Sequence, residues 1–256
     1  MARTDIQGRA GRAVHPEQWA EVSSVGGFFA LRTGTAGDAA GRPLAAVYVG
    51  EDAPLSARVD TVAARLGAPE RRVAASIAHL GLAARLWSIA LGPAVLHGVL
   101  PDLGAERLCW DGRRTSPDDL LLTPGGPDRE ASAEALAQGV IDGHLAPLAE
   151  VFRRDTPVSY GLLRGNAGSA LAGAVRELHG WARKSGRPEV AERALALGAE
   201  LFEHPQLADT GTLLSGPDFR RRSCCLYYRC PGGGLCGDCV FERPPGRSAA
   251  RHGTRR

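Results

Sequence analysis

Five of the six cysteines in this 256-residue chain lie within sixteen positions, at Cys224, Cys225, Cys230, Cys236 and Cys239. Chance placement does not produce that density, and two chemistries compete for it. A disulfide framework suits small secreted domains that lack a sufficient core, whereas clustered thiols in a reducing compartment point to a metal. The stretch from Met1 to Trp19 carries charges and Pro16 but no apolar segment of the kind an export signal needs. The reading is therefore a cytoplasmic chain with metal-binding thiols.

Cys236 and Cys239 form a C-x-x-C knuckle, with Gly237 allowing a tight turn at low steric cost. Zinc sites and redox-active dithiols use the same spacing, so the knuckle alone does not decide the metal. The other pair is more informative. Cys224 and Cys225 are neighbours, about 3.8 Å apart at Cα, and in an extended strand their side chains would point to opposite faces. To face one cofactor they need a kink in the backbone. That suits one tetrahedral zinc poorly, while a diiron cluster is wider and takes two thiolates per iron. A vicinal pair and a knuckle can supply all four if the loop from Pro231 to Gly234 folds over. A structural zinc module and an iron–sulfur sensor stay open as alternatives.

The pattern Cys-Cys, ten residues, Cys, two residues, Cys resembles the signature of FhuF-like ferric siderophore reductases, and Cys224, Cys225, Cys236 and Cys239 match it position for position. The flanking Arg221-Arg222-Ser223 and Pro231-Gly-Gly-Gly-Leu235 are similar to that family too. Weaker similarities, to its helical body, lie in Arg85-Leu-Trp87, His97-Gly-Val-Leu-Pro-Asp102 and Gly165-Asn-Ala-Gly-Ser-Ala170. The resemblance implies a [2Fe–2S] cluster on the four matched cysteines and one-electron reduction of a ferric siderophore, of the hydroxamate type, to release Fe(II). It also implies a separate electron donor, such as a ferredoxin or a flavin reductase. The expected location is the cytoplasm, at the periphery of the inner face of the membrane. Cys230 falls outside the pattern and reads as a spare buried thiol. Cys109 reads as a small core residue.

Other chemistry is weakly represented. No G-x-G-x-x-G follows a strand and no P-loop is present, so no nucleotide or flavin site is visible. The histidines show no ligand spacing with one another, and there is no nucleophile elbow. From Asp218 onward nine arginines stand against Asp218, Asp238 and Glu242, yet the whole chain is only +3, too little to argue for nucleic acid. Arg220 to Arg222 and Arg229 either attract an anionic partner or offset the charge of a thiolate-ligated cluster. Tyr227 and Tyr228 read as alternating strand residues packed against the body.

The elements that must position these thiols are read from periodicity. Gly26 to Arg32 and Ala45 to Val49 read as short strands. Helical spacing is expected over Ala57 to Leu66, Arg71 to Leu80, Leu82 to Leu100, Ala131 to Arg154, Val158 to Lys184 and Glu189 to Phe202. Arg107 to Trp110 and Leu120 to Leu122 read as two further strands. The apolar run from Leu86 to Leu100 is shorter than the roughly 20 residues of a bilayer span, so no transmembrane segment is expected. Gly165, Ala167, Gly168, Ala170, Ala172 and Gly173 form a small-residue surface that a neighbouring helix could approach. The expected fold is α+β, mainly α. It comprises a leader over residues 1–20, a siderophore-binding helical body over 21–205, a cluster-binding module over 206–245 and a basic tail over 246–256.

Overall fold

Two long helices form the axis of the protein, which is described by a computed structural model over residues 14–51 and 53–245. The first, α4 (Arg71–His97), follows α1 (Pro16–Ser24), β1 (Arg32–Thr33), β2 (Arg42–Pro43), α2 (Leu44–Val49) and α3 (Ala53–Leu66). The second, α7 (Tyr160–Lys184), comes after β3 (Val99–Leu100), β4 (Leu108–Trp110), β5 (Leu120–Leu122), β6 (Arg129–Glu130), α5 (Ala133–Leu136), a π-helical stretch (Ala137–Leu145) and α6 (Ala146–Asp155). α8 (Pro188–Phe202) packs on α7, and β7 (Gly211–Leu213) and β8 (Phe219–Arg221) pair as an antiparallel ribbon. The mainly α, α+β architecture expected from the periodicity is the one observed.

α4 is apolar on nearly all sides because it is buried on nearly all sides. Val73, Leu86, Trp87, Ile89, Leu91 and Val95 are all buried, on a helix that packs against α1, α3, α7 and α8. The helix is long and apolar enough to cross a membrane by length and composition, but 78% of its most apolar window is buried inside the protein. Its main partner is α7. Trp87 Nε1 donates to the Ala167 carbonyl at 3.1 Å, which satisfies the indole in the middle of the seam. α7 begins at Ser159, whose hydroxyl accepts from Leu162 N.

Several local expectations are corrected. Arg71 to Leu80 and Leu82 to Leu100 are one helix through Gly81, because burial on both flanks outweighs the roughly 1 kcal/mol helix penalty of a glycine. Left-handed Gly98 (φ 69°) stops that helix at His97, and Val99–Leu100 pairs with Arg129–Glu130 as a strand. Ala45 to Val49 is helical: Leu44 and Val47, three apart, face the core while Val49 is 86% exposed, a period a five-residue apolar run does not reveal. Of Gly26 to Arg32 only Arg32 joins a strand, and Phe29 and Leu31 are buried from an otherwise irregular segment. The expected helix from Ala131 contains a π-helical section, and Ala131 itself precedes it. The leader reading does not extend to residues 16–20, since α1 places Trp19 and Val22 in the core. Residues 1–13 and the basic tail at 246–256 lie outside the described residues.

A four-stranded sheet runs in the order β1-β5-β4-β2 and packs against α2. Cys109 is buried in β4 opposite Leu121, as expected of a core residue. The seam between α4 and α7 is the test of this architecture. Trp87→Ala should cost about 3–5 kcal/mol in denaturant unfolding, and a loss below about 1 kcal/mol would place the main core elsewhere.

Candidate metal centre

The polar chemistry of the C-terminal module begins at β8, where burial alternates with the strand period. Phe219 and Arg221 face inward and Arg220 faces solvent. Arg220 reaches Glu242, Arg222 reaches Asp209 and Arg229 reaches Glu70, so these three cations are met by carboxylates at the surface. Arg221 is different. It is 2% exposed, it donates from Nη2 to Asn166 Oδ1 at 2.6 Å, and its Nε and Nη1 have no partner among the described residues. Of the two roles open to the arginine cluster, offsetting negative charge at the thiols therefore falls to Arg221 alone.

A buried polar chain ties this arginine to the cysteines. Asn166 Nδ2 donates to the Ser76 carbonyl (2.8 Å), and Ser76 Oγ donates to the Cys225 carbonyl (2.8 Å). The module thus docks on α4 through Ser76 and on α7 through Asn166. Gly165 makes the docking possible, because a Cβ there would stand 1.9 Å from Ser223 Oγ and 3.2 Å from Arg221 Nη2. The knuckle is anchored separately. Asp238, between its two cysteines, is buried and accepts from Ser169 Oγ and from Arg176 Nη2 (2.6 Å), while its carbonyl accepts from Arg221 N (3.0 Å).

The backbone kink falls immediately after the vicinal cysteines, on Leu226, the single non-glycine residue with positive φ among the described residues (φ 68°). A left-handed leucine is strained by about 1–3 kcal/mol and persists only where the surroundings over-determine it. Gly237, expected to make the knuckle turn, is not among the left-handed glycines. Tyr227–Arg229 forms a 3₁₀ turn instead of a strand, started by Leu226, with Tyr228 packed edge-on against Phe241 (5.8 Å).

The turn brings backbone N–H groups onto sulfur. Leu226 N donates to Cys224 Sγ (3.2 Å), Phe241 N donates to Cys239 Sγ (3.4 Å) and Tyr227 N donates to the Cys225 thiol group. Cys225 is buried and Cys224, Cys236 and Cys239 are half-buried. Cys224 senses the charges of Cys225 and Cys239, and Cys236 those of Cys225 and Cys239. The Cys236 thiol donates to the Cys225 sulfur, which lowers the Cys225 pKa to about 6, with Tyr227 N–H and the Arg221 charge adding to the effect against burial. The same bond holds the proton on Cys236 and raises its pKa. Burial raises Cys224, and the charges of Cys225 and Cys239 add to that rise. Cys230 is buried, raised chiefly by desolvation, and carries no such backbone donor.

These features fit an anionic, thiolate-held group. The Arg221 guanidinium, two of whose nitrogens have no partner among the described residues, and the N–H groups on sulfur present positive polarity to the thiols. The unneutralised field of Arg221 also reaches His79, buried edge-on to Phe152 at 5.2 Å; burial first and Arg221 second bring its pKa to about 3, so it is a neutral core histidine. Among the described residues no group of three or more His, Cys, Asp or Glu side chains, the four cysteines included, is placed to hold a metal ion.

Sequence reading missed Arg221's partners and the anchor. Asn166 and Ser169 interrupt a run of small apolar residues at a three-residue spacing, and Asp238 puts a charge inside a C-x-x-C; those were the available signals.

Residues 221–241 match the model of the FhuF 2Fe-2S C-terminal domain, and no curated protein matches the chain. The cofactor of this module is a [2Fe–2S] cluster, and the chain is FhuF-like over the matched residues. The zinc alternative is set aside on that ground. A cation beside the cluster favours its more negative, reduced form. Arg221→Met should therefore lower the midpoint potential, by about 60 mV for a tenfold change in the one-electron equilibrium. An EPR-monitored redox titration reads this, and an unchanged potential would show that the guanidinium does not face the cofactor.

Proposed function

We propose that the protein is a ferric siderophore reductase, in which Cys224, Cys225, Cys236 and Cys239 hold the cluster and the substrate is a ferric complex of the hydroxamate type. The observation that carries this reading is the placement of the [2Fe–2S] module at the surface of the helical body, with Cys236 and Cys239 half-buried and Cys236 lining an open cleft. A cluster that served only to staple the fold would have no use for that opening.

When bound, the cluster would supply a single electron, at a potential within the wide range open to iron–sulfur centres, roughly −700 to +450 mV. The residues do the rest. The polar chain from Arg221 through Asn166 and Ser76 fixes the vicinal cysteines, and Asp238 fixes the knuckle, so that the thiolates keep their relation to the body while the charge on the group changes. No general acid, base or nucleophile is required. Fe(III) bound by hard oxygen donors gains one electron and becomes Fe(II), which the same donors hold far less tightly, and the metal leaves. A separate reduced partner, a ferredoxin or a flavin reductase, then returns the electron. The place of action under this reading is the cytoplasm.

The reading is tested on protein purified without oxygen. Reduced protein mixed with a ferric trishydroxamate should give about one Fe(II) per cluster, trapped by a ferrous chelator, with the cluster reoxidised in step. Cys→Ser at 224, 225, 236 or 239 should abolish or alter the reduced EPR signal, whereas Cys230→Ser should keep it. Reoxidation by oxidants in general, with no transfer to any ferric chelate, would favour a sensor over a reductase.

A further inference from the structure

We propose that a second cavity, bounded by α3, α4 and residues 115–119, binds a small organic dianion with an apolar body, apart from the cysteine module. The cavity has a volume of about 500 Å³, within the range of small-molecule sites. Gly27 and Phe28 line both this cavity and the cleft at Cys236, but no cysteine lines the larger one.

Its charges do not balance. Arg58, Arg65 and Arg85 line it against the single carboxylate of Asp119, an excess of two positive charges. Arg85 is buried and closed on its own partners: Nε meets Asp119 at 2.9 Å, and the other nitrogens donate to the carbonyls of Gly27, Phe28 and Pro117. Arg58 and Arg65 differ, since neither meets a carboxylate at ion-pair distance among the described residues. With Val62 they lie four and three residues apart on α3, so one helix face presents both to the cavity. Arg58 is half-buried over the Trp110 ring, 5.9 Å from its centroid. Burial is the chief cause that depresses its pKa; Asp119 and Asp111 oppose the shift and Arg65 adds to it. Both carboxylates are already paired, Asp119 with Arg85 and Asp111 with Arg114 at 3.3 Å. A ligand with two negative charges would bring the cavity to neutrality and give the two guanidiniums a counter-charge.

An unmet donor lies in the same lining. Trp110 is 1% exposed and its Nε1 has no partner among the described residues, although buried polar atoms are as a rule satisfied. An oxygen of an anion held beside this ring by Arg58 would supply the acceptor. The remaining lining is largely apolar, with Val62, Ile77, Ala78, Leu82 and Phe28. Those side chains offer nothing to a bare inorganic anion but bury hydrocarbon, so the ligand carries its charges toward α3 and an apolar body toward α4. A dicarboxylate and a phosphate monoester share that chemistry.

The experiment titrates the full-length, cluster-loaded protein calorimetrically with naphthyl phosphate, a naphthalene dicarboxylate and, as the uncharged control, naphthol. The pH is held well above about 6, where a phosphate monoester carries close to two charges. At least one dianion should bind about tenfold or more tightly than naphthol, and the one that binds identifies the anionic group. Arg58→Gln should weaken that binding about tenfold or more, and Arg65→Gln and added salt should weaken it in the same direction. Gly81 lines the cavity and a Cβ there would meet nothing within 4 Å, so Gly81→Leu fills the space without altering a charge. It should abolish binding and leave the cluster spectrum unchanged; if Arg58→Gln does not fold, Gly81→Leu and Arg65→Gln carry the test. Failure of both dianions to bind, binding of naphthol as tight as theirs, or full binding retained in Gly81→Leu would overturn the site.

Discussion

The guanidinium of Arg221 is buried with one hydrogen bond where it could make five, and the arrangement of the C-terminal module turns on that imbalance. Removing such a charge from water costs several kcal/mol unless an opposite charge meets it. Carboxylates at the surface answer Arg220, Arg222 and Arg229 and leave Arg221 to the thiols. The thiols become a sufficient counter-charge only when they are ionised, and a metal cofactor ionises them. Retention of the cofactor and docking of the module on the body are thus coupled through one side chain.

That coupling sets demands on the two long helices. α7 must offer Asn166 and Ser169 to the module, yet remain small enough at Gly165 for Ser223 and Arg221 to reach them. α4 must offer Ser76 from a surface that is otherwise core, and it does so because Asn166 and the Cys225 carbonyl satisfy both ends of that serine. The same pair of helices is locked by Trp87 a few turns away. Movement of α7 against α4 would therefore shift the vicinal cysteines as well, and a rigid seam between the helices is what keeps the sulfurs in register.

How much of this was legible in the sequence depends on the range of the interaction. The thiol cluster, the helices and the chemistry of the cofactor were legible because spacing and period are local. Strand alternation makes neighbouring arginines of β8 face opposite ways, but neither that strand nor the burial of Arg221 was read from the sequence. What escaped was set by distant partners: Arg221 with Asn166, Ser76 with the Cys225 carbonyl, and Asp238 with Ser169 and Arg176. The vicinal cysteines make a kink necessary, but they do not say where it falls, because a left-handed leucine contradicts local preference and is imposed by packing. α2 escaped for the opposite reason, since its six residues are too few to show a helical period.

The electrostatics of the module also bear on the proposed reductase reading. A buried cation and N–H groups directed at sulfur both stabilise the reduced state, so the features that hold the cofactor raise its potential. A ferric siderophore has a low potential, and each tenfold preference of the ligand for Fe(III) lowers it by about 59 mV. Retention and driving force therefore pull against one another at Arg221. Partial exposure of Cys224, Cys236 and Cys239 acts in the same direction as Arg221, because water stabilises the more negatively charged, reduced state more than the oxidised one. The remaining deficit need not be met by the protein at all. Fe(II) leaves a hydroxamate readily, and each tenfold depletion of it by a downstream acceptor shifts the couple by the same amount, about 59 mV, in the productive direction. A donor that is somewhat too weak at equal concentrations can then still empty the siderophore, provided that the product is removed.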